Sequence, residues 1–324
     1  MYSLRGMYKK ALVTGGAGFI GSHLVDALLA DGLEVVSADD YSSGKHDNLK
    51  HLEGLKEFTE AECDVTDYSA LSKLYAGVDV VFNQMASKMT VCLKDPRRDL
   101  EVNAKGTFNV LELARDRGVR KVVHASTGSV YGEPEYFPTD ENHRYNPTSY
   151  YGVSKLAGER YVHLFFRNYG VNATILRYFH VYGPRQENSD VGGVCSIFGR
   201  NVIKGEPIVI YGDGTQQRSF TYVEDVVNIN KFAALREEET RGQAYNCASG
   251  IKVTIEELAR KVVAWSGRGD IAIRFEDWRI GDIIRFDIDN GKLRRQGFEW
   301  RTDFDVGLAK TLDWLKEYLG RKGK

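Results

Sequence analysis

The chain has 324 residues, of which 42% are apolar and 27% charged, and its 44 basic and 45 acidic side chains leave a formal net charge of −1. This balance excludes proteins that bind nucleic acids or anionic membranes through a large positive charge, and no apolar run approaches the roughly 20 residues of a membrane-spanning helix. We therefore expect a globular enzyme without a nucleic-acid or membrane partner, long enough to form two lobes.

Short apolar runs and helical periodicity alternate through the first half of the chain. The runs predict five strands, at residues 10–14, 34–38, 78–84, 119–125 and 173–178. Helical spacing predicts three helices between them, at residues 23–30, about 100–117 and 150–168. Strands that alternate with helices in this way indicate a parallel sheet covered on both faces.

The pattern loosens after Tyr178, where Gly183-Pro184-Arg185 interrupts it and Gly212-Asp213-Gly214 predicts a tight turn. Further helices are predicted at 223–236, 255–266 and 306–319. We expect an α/β fold, with a Rossmann-type doubly wound parallel sheet and a smaller α/β substrate-binding lobe. The two lobes are predicted to interleave, the first comprising 1–178 plus about 222–250, and the second about 179–221 plus 251–324.

The four cysteines, Cys63, Cys92, Cys195 and Cys247, are widely scattered, and none belongs to a CxxC pair. This distribution predicts reduced, buried thiols and no metal site. Residues 1–10 carry basic side chains without the apolar stretch and cleavage site of a signal peptide, so we expect a cytoplasmic protein.

A glycine-rich turn, Gly15-Gly16-Ala17-Gly18-Phe19-Ile20-Gly21, follows the first predicted strand and opens a helix. Glycines there let the backbone approach a pyrophosphate, whose charge the helix N-terminus stabilises. Asp39 follows Gly21 by 18 positions, near the roughly 20-residue spacing of a ribose-binding carboxylate. The pattern predicts a dinucleotide site, and Asp39 favours NAD over NADP, although Lys45 and His46 could shift that preference.

The string Tyr151-Gly152-Val153-Ser154-Lys155 lies at the start of a predicted helix. Residues four apart share a helix face, so the lysine ammonium can stabilise the ionised hydroxyl of Tyr151, whose ordinary pKa of about 10 makes it a poor base. Such a tyrosine can take a proton from a sugar hydroxyl and return it. A packed aromatic side chain is the alternative, and Tyr150 competes for the role, but only Tyr151 has a lysine four residues later.

Three segments together resemble the extended short-chain dehydrogenases/reductases: TGGAGFIG at 14–21, YGVSK at 151–155 and GDGTQQRSFTYVEDV at 212–226. More narrowly, residues from about 9 to 319 are similar to the nucleotide-sugar epimerase/dehydratase family, and to UDP-glucose 4-epimerases most of all. The resemblance implies NAD as cofactor. It implies Tyr151 as catalytic base and acid, Lys155 as the group that lowers its pKa and bonds the nicotinamide ribose, and Thr127 as a hydrogen-bonding partner of the reacting hydroxyl.

The resemblance also implies two sets of binding residues. Cofactor contacts are expected from Gly15, Gly18, Phe19, Ile20, Gly21, Asp39, Asp40, Ser43, Gly44, Asp64, Val65, Met85, Ala86, Lys88, Asn103, Tyr151, Lys155 and Tyr178. Substrate contacts are expected from Lys88, Thr127, Gly128, Ser129, Tyr151, His180, Val194, Arg218, Arg279 and Asp282. Some of these assignments have an alternative. Asp64 could simply belong to a turn, Asn103 could bond the local backbone, and the arginines could be solvated surface charges.

Three positions depart from the family pattern. Dehydratases of the superfamily place an Asp-Glu pair directly after the threonine, whereas Gly128 and Ser129 stand here and can supply neither the acid nor the base that dehydration needs. His180 replaces the usual asparagine, so it could add a hydrogen bond, add charge or reshape the sugar pocket. Phe286 falls where a bulky ring in the sugar pocket would favour glucose and galactose over N-acetyl sugars. Alternatively, Phe286 is a residue of the hydrophobic core.

The leading hypothesis is NAD-dependent epimerisation at C4 of a UDP-sugar of the UDP-glucose/UDP-galactose type, through a transient 4-keto intermediate. A nucleotide-sugar dehydratase or keto-sugar reductase of the same superfamily is the second. A non-catalytic NAD-binding sensor or scaffold is the third, and the presence of Thr127, Tyr151 and Lys155 argues against it. The resemblance further implies a homodimer built from the helices near 100–117 and 150–168.

Overall fold

The computed structural model describes residues 2–87, 89–278 and 287–322, with the backbone alone at 89–91 and 322. Its strands are β1 (Lys10–Thr14), β2 (Glu34–Asp39), β3 (Phe58–Glu62), β4 (Val80–Asn83), β5 (Lys121–Thr127), β6 (Ala173–Tyr178), β7 (Val181–Tyr182), β8 (Ile208–Tyr211), β9 (Gln217–Ser219), β10 (Thr221–Tyr222), β11 (Ala244–Cys247), β12 (Lys252–Thr254) and β13 (Ile273–Glu276). Seven of them form one sheet in the order β3-β2-β1-β4-β5-β6-β11, and all neighbours pair in parallel. The predicted parallel sheet is confirmed.

Helices cover both faces of this sheet. The α-helices of the described residues are α1 (Phe19–Ala30), α2 (Tyr68–Lys73), α3 (Met89–Lys94), α4 (Pro96–Leu100), α5 (Thr107–Asp116), α6 (Tyr150–Tyr169), α7 (Val194–Lys204), α8 (Val223–Leu235), α9 (Ile255–Ser266), α10 (Gly291–Arg295) and α11 (Phe304–Lys322). The core on one face joins α1 and α8 to the strands, and the core on the other joins α2, α5 and α6. The arrangement is therefore the expected doubly wound sheet.

A π-helical turn, Glu101–Gly106, joins α4 to α5, where the sequence predicted one continuous helix. Turns of this kind are rare and often occur at functional sites. The start of α6 is fixed by Ser149, whose side chain accepts a hydrogen bond from the Gly152 amide at 3.1 Å and so caps the helix.

Two strands of the sheet escaped the sequence prediction because they lack an apolar run. The edge strand β3 has the sequence FTEAE and is partly exposed along its length. The other edge strand, β11, is buried but contains Asn246, whose amide donates to the carbonyl of Thr139 at 3.1 Å and to that of Asp289 at 3.2 Å. Neither strand can be recognised from its own sequence, because each is defined by its pairing with a neighbouring strand, β3 with β2 and β11 with β6.

A separate core lies beside the sheet. It joins α7, α9 and α11 to three two-stranded sheets, β7 with β10, β9 with β12, and β8 with β13. Its buried members come from residues 182–223 and 253–312, close to the ranges expected for an interleaved second lobe. The exact domain boundaries remain a prediction.

The described part of the chain contains no helix that is long and apolar enough to cross a membrane. The same ranges hold no group of three or more His, Cys, Asp or Glu side chains placed to bind a metal ion. All four cysteines are buried thiols, and burial raises the pKa of Cys63 to about 11.

Candidate active site

A cavity of about 440 Å³ lies at the carboxyl ends of β1, β2, β3 and β4. In a doubly wound sheet this edge is where nucleotides bind. The wall is formed by Gly15, Gly18, Phe19, Ile20, Gly21, Ala38, Asp39, Asp40, Ser42, Ser43, Gly44, Lys45, Asn48, Cys63, Val65, Gln84, Met85, Ala86, Ser87, Arg98, Val102, Tyr151, Arg185, Gln186, Glu187, Val191, Gly192 and Gly193.

The glycine-rich turn forms one end of the cavity. Gly15 has a φ of +67°, and a β-carbon there would lie 2.8 Å from Met85 Cα, so both conformation and space require glycine. Gly18 precedes α1 and offers no side-chain cap, which leaves the first amides of the helix directed towards the cavity mouth. An anionic pyrophosphate fits this end of the cavity.

Asp39 lies beside the turn and is almost fully buried. Its carboxylate accepts hydrogen bonds from the amide of Ala17 at 3.0 Å and that of Tyr41 at 2.9 Å. Burial raises the pKa of Asp39, and these two hydrogen bonds oppose the rise. The carboxylate is thus held at the position expected for a ribose-binding acid.

Three basic side chains near this ribose position each lie against a carboxylate. Arg98 Nη2 lies 2.9 Å from both Asp40 Oδ2 and Asp64 Oδ2. The other two pairs are Lys45 with Glu187 at 3.3 Å and His46 with Glu60 at 2.9 Å. The sequence left open whether Lys45 and His46 would favour a 2′-phosphate, and these pairings reduce that attraction.

Tyr151 lines the cavity and shares a side-chain hydrogen bond with Thr127, which ends β5. Thr127 is held in turn by Ser129, whose amide donates to Thr127 Oγ1 at 3.1 Å. Burial raises the pKa of Tyr151 to about 12, whereas the hydrogen bond with Thr127 lowers it. The structure therefore brings two of the three predicted catalytic side chains into contact.

Lys155 lies behind the cavity wall and is almost fully buried. Its ammonium donates to the carbonyl of Met85 at 3.2 Å and to that of Ala125 at 2.9 Å. Burial lowers the pKa of Lys155 to about 8. In this arrangement the lysine bridges β4 and β5, and its predicted contact with a nicotinamide ribose stays a prediction.

The loop after β5 contains the two residues that depart from the dehydratase pattern. A β-carbon on Gly128 would lie 2.2 Å from Cε1 of Phe179, so the buried phenylalanine ring fills the space that any side chain at 128 would need. Ser129 shares a hydrogen bond with Thr127 at 3.1 Å between their hydroxyl oxygens. Positions 128 and 129 thus supply a hydroxyl group and no carboxyl group.

His180 follows β6 and has a left-handed backbone, with φ of +37°. Burial and the nearby Arg218 guanidinium lower the pKa of His180 to about 3, so its imidazole is neutral at physiological pH. Of the options open from sequence, these surroundings disfavour a charge on His180, and a neutral hydrogen-bonding ring and a reshaped sugar pocket stay predictions. Its ring lies edge-on to Phe220, with centroids 6.2 Å apart.

Many of the predicted cofactor residues line the cavity: Gly15, Gly18, Phe19, Ile20, Gly21, Asp39, Asp40, Ser43, Gly44, Val65, Met85, Ala86 and Tyr151. Four others lie behind its wall, namely Asp64, Asn103, Lys155 and Tyr178. Asp64 is held by Arg98, and the hydroxyl of Tyr178 contacts Gln84 at 3.0 Å. For these four, direct contact with a cofactor stays a prediction.

The predicted substrate residues are divided between the two lobes. Thr127 ends β5, Gly128 and Ser129 follow it, and His180 follows β6. Val194 begins α7, and Arg218 lies in β9. Lys88, Arg279, Asp282 and the variable Phe286 lie outside the described residues. A shared pocket for the sugar nucleotide is therefore a proposal and not an observation.

Sequence reasoning missed the wall contributed by the second lobe. Residues 185–187 and 191–193 close one side of the cavity, and Arg185 is fixed by an ion pair with Asp26 of α1 at 2.8 Å. The Gly183-Pro184-Arg185 break marked this loop as irregular, but no motif connected it to the cofactor. Arg98 was missed as well, because only the folded chain places it beside Asp40.

Comparisons with known proteins agree with this geometry. The chain matches the family described as NAD dependent epimerase/dehydratase over residues 11–248. It is 37% identical to the UDP-glucose 4-epimerase of Mycolicibacterium smegmatis over 95% of this chain and 98% of that protein. It is 32% identical to UDP-glucuronic acid decarboxylase 1 of Xenopus tropicalis over 96% of this chain and 73% of that protein.

Among solved structures, the UDP-glucose 4-epimerase of Thermotoga maritima with UDP-glucose matches with a TM-score of 0.88 and 33% identity, covering 96% of this chain and 99% of that chain. The protein belongs to the NAD-dependent epimerase/dehydratase family and is an enzyme of the nucleotide-sugar epimerase/dehydratase superfamily. The predicted family and the predicted cofactor, NAD, are confirmed. The relatives include an epimerase and a decarboxylase, so family membership does not by itself define the reaction.

Proposed function

We propose that the protein interconverts UDP-sugars of the UDP-glucose/UDP-galactose type by NAD-dependent epimerisation at C4, through a transient 4-keto intermediate. The observation that carries the proposal is the loop after β5. It brings Thr127 to Tyr151 beside the cofactor cavity, while Phe179 fills the space at Gly128. This arrangement supports proton transfer at a hydroxyl, and Gly128 and Ser129 supply neither the acid nor the base that dehydration requires.

Tyr151 is proposed to remove the C4 hydroxyl proton and later to return it. Its pKa of about 12 must fall for this role, and Lys155, four residues later on α6, is the cation proposed to lower it. Two of the lysine's three N–H groups are used by Met85 and Ala125 in the described contacts, which leaves one for a ribose hydroxyl or the tyrosine. The residues that line the cavity would hold NAD, which would supply the hydride acceptor and donor for C4 and, while oxidised, a positively charged ring.

The family relatives support a uridine nucleotide, because the epimerase and the decarboxylase similar to this chain are both named for UDP-sugars. The identity of the sugar depends on the pocket near His180. A neutral imidazole there can donate one hydrogen bond and accept another, as the usual asparagine can, so we expect a neutral sugar hydroxyl or phosphate oxygen as its partner.

The test is incubation of the purified protein and NAD with UDP-glucose, UDP-galactose and analogues substituted at C2 and C6, followed by NMR of the products. We expect inversion at C4 with no net consumption of NAD. Loss of water, release of CO₂ or consumption of a reduced dinucleotide would assign another reaction of the superfamily. Absence of turnover with every uridine sugar would contradict the proposal.

Two neighbouring tyrosines give a matched control. Tyr151→Phe removes the proposed base and is expected to lower kcat by about 10²–10⁴-fold. Tyr150→Phe makes the same chemical change on an exposed side chain and is expected to leave kcat within a factor of about two, since surface substitutions have small effects. Equal losses in both variants would mean that neither hydroxyl is the base.

We also propose a homodimer through α6 and its neighbours. Val153 and Leu164 are exposed apolar residues at helical spacing on α6, and Leu93 and Leu100 are exposed on α3 and α4. An apolar stripe of this kind indicates a covered surface. Val153→Glu with Leu164→Glu should shift the mass measured by light scattering from dimer to monomer, and an unchanged mass would contradict this interface.

A further inference from the structure

A carboxylate without an assigned role lies directly behind the catalytic residues. Asp99 of α4 is 1% exposed, and its two oxygens accept hydrogen bonds from Ser154 Oγ at 2.5 Å and from Asn103 Nδ2 at 3.0 Å. Asn103 Nδ2 also donates to Ser154 Oγ at 3.0 Å, which closes a triangle of buried polar groups. Ser154 is the residue before Lys155, so these hydrogen bonds attach Asp99 and Asn103 to the turn of α6 that contains both Tyr151 and Lys155.

The local structure explains why these residues meet. Asp95 caps α4 by accepting a hydrogen bond from the Arg98 amide at 3.0 Å, and Pro96 starts the helix. The π-helical turn that follows places Asn103 against Asp99, and the side-chain oxygen Oδ1 of Asn103 accepts a hydrogen bond from the Ser87 amide at 3.1 Å. Because Ser87 lines the cavity, the triangle connects the cavity wall to α6.

We propose that Asp99 is a positioning residue that holds the Tyr151–Lys155 turn of α6 through Ser154 and, as the buried negative charge beside this turn, keeps the Lys155 ammonium protonated. The inference rests on the proposed function for its kinetic consequences, but the protonation state of Lys155 can be measured without turnover. A buried cation needs such a partner, because burial alone disfavours its charged form.

The titratable groups on the elements that pack around Tyr151 and Lys155 change the pKa values of these two residues in different directions. Asp99 on α4 and Glu159 on α6 raise the pKa of Lys155 against the dominant effect of burial. Asp99 and Cys92 of α3 raise the pKa of Tyr151, and Thr127 of β5 lowers it. His124 of β5 is fully buried with its pKa well below the usual value, partly because of Lys155, and is neutral.

The sign of the effect follows from these charges. Asp99→Asn removes a negative charge, so the charged form of Lys155 becomes less favourable and its pKa falls. The phenolate of Tyr151 becomes more favourable for the same reason, and its pKa falls as well. Since the reaction needs protonated lysine and ionised tyrosine, both limbs of the pH profile of kcat/KM should move to lower pH by about one unit.

The kinetic test compares the pH profiles of kcat/KM for the NAD-bound wild type, Asp99→Asn, Ser154→Ala and Asp95→Asn. Asp99→Asn should shift both limbs down. Ser154→Ala keeps the charge but breaks the triangle, so it should lower kcat without that shift. Asp95→Asn, an exposed acid of the same helix, should leave the limbs in place. Unshifted limbs in Asp99→Asn, or an equal shift in Asp95→Asn, would overturn the proposal.

The second test is NMR titration of the ¹⁵Nζ and ¹³Cε signals of labelled lysines in the holoenzyme, with Lys155→Arg to assign Lys155. We expect the Lys155 midpoint to fall by about one pH unit in Asp99→Asn and by a smaller amount in Asp99→Glu, which keeps the charge but moves it. An unchanged midpoint in Asp99→Asn would refute the electrostatic role whatever reaction the enzyme catalyses. If Asp99→Asn does not fold, Asp99→Glu is used instead, because its longer side chain moves the charge. A lowered titration midpoint of Lys155 in Asp99→Glu supports the role. An unchanged Lys155 midpoint together with unchanged limbs of the kcat/KM profile overturns it.

Discussion

The ring of Phe179 occupies the position at which Gly128 would carry a side chain, with Cε1 only 2.2 Å from the place of the missing β-carbon. Phe179 is buried, and it stacks on Tyr131 with ring centroids 6.5 Å apart, so it cannot move aside cheaply. An aspartate at 128 would therefore collide with the core behind the loop. The packing of Phe179 against Gly128 therefore excludes the aspartate of the dehydratase pattern from position 128 in this structure.

The first prediction concerns this contact. Gly128→Ala should destabilise the protein by about 1–3 kcal/mol, because overpacking forces the loop or Phe179 to move. Gly128→Ala combined with Phe179→Leu should recover part of that loss, which urea denaturation will measure. If Gly128→Ala is as stable as the wild type, the Phe179 ring does not exclude a side chain from position 128.

The same contact has a consequence for activity. The Gly128→Asp, Ser129→Glu double variant should gain no dehydratase activity while Phe179 is present.

The second prediction concerns the preference for NAD. Asp40 and Asp64 hold the Arg98 guanidinium at 2.9 Å each, although a planar guanidinium is well suited to bind a 2′-phosphate. Asp40→Asn with Asp64→Asn should release Arg98 and tighten NADP binding by about tenfold, or roughly 1.4 kcal/mol, in calorimetry. Adding Arg98→Ala should abolish the gain. A gain that persists in the triple variant would mean that lost repulsion alone, and not Arg98, is responsible.

The third prediction concerns release of NAD. The Lys45–Glu187 ion pair, at 3.3 Å, connects the loop after β2 to the second lobe across the cavity. Both side chains are partly exposed, so the pair contributes only about 0.2–1 kcal/mol and weakens in salt. Glu187→Gln should speed NAD dissociation by a factor of about two to five in stopped-flow displacement, with less salt dependence. The charge swap Lys45→Glu with Glu187→Lys should restore slow release, and its failure to do so would contradict a role for the pair.

The sequence was sufficient for features that depend on local pattern. The strand at 10–14, the glycine turn and the spacing from Tyr151 to Lys155 each have a physical reason that a short window of residues contains. It was insufficient where distant residues meet. Asp99, Arg98 and residues 185–193 belong to the site because α4 and the second lobe pack around the cavity, and no spacing along the chain indicates that. The lysine contacts were likewise unpredictable, because the carbonyl of Met85 lies in the loop after β4 and that of Ala125 in the adjacent strand β5.

The fourth prediction concerns the buried ion pair between Arg177 of β6 and Glu159 of α6. Arg177 Nη2 and Nε lie 2.7 and 2.9 Å from the two Glu159 oxygens, and Ser126, which precedes Thr127, donates to the same carboxylate at 2.6 Å. Glu159→Gln would leave a buried guanidinium without its counter-charge, so we expect a loss of about 3–5 kcal/mol in the free energy of unfolding. The residual folded enzyme should also show a lower kcat, because Ser126 and Thr127 lose their support.

An arginine pair provides the control for this effect. Arg177 and Arg160 both lie over the ring of Tyr145, at 5.0 and 4.6 Å from its centroid, but Arg160 is exposed. Arg160→Met should therefore cost no more than about 1 kcal/mol, the range of an exposed cation–π contact. Arg177→Met, which leaves Glu159 buried and unpaired, should cost several times more. Similar losses in the two variants, measured by urea denaturation, would show that contact with Tyr145 and not the buried charge pair stabilises the fold behind Thr127.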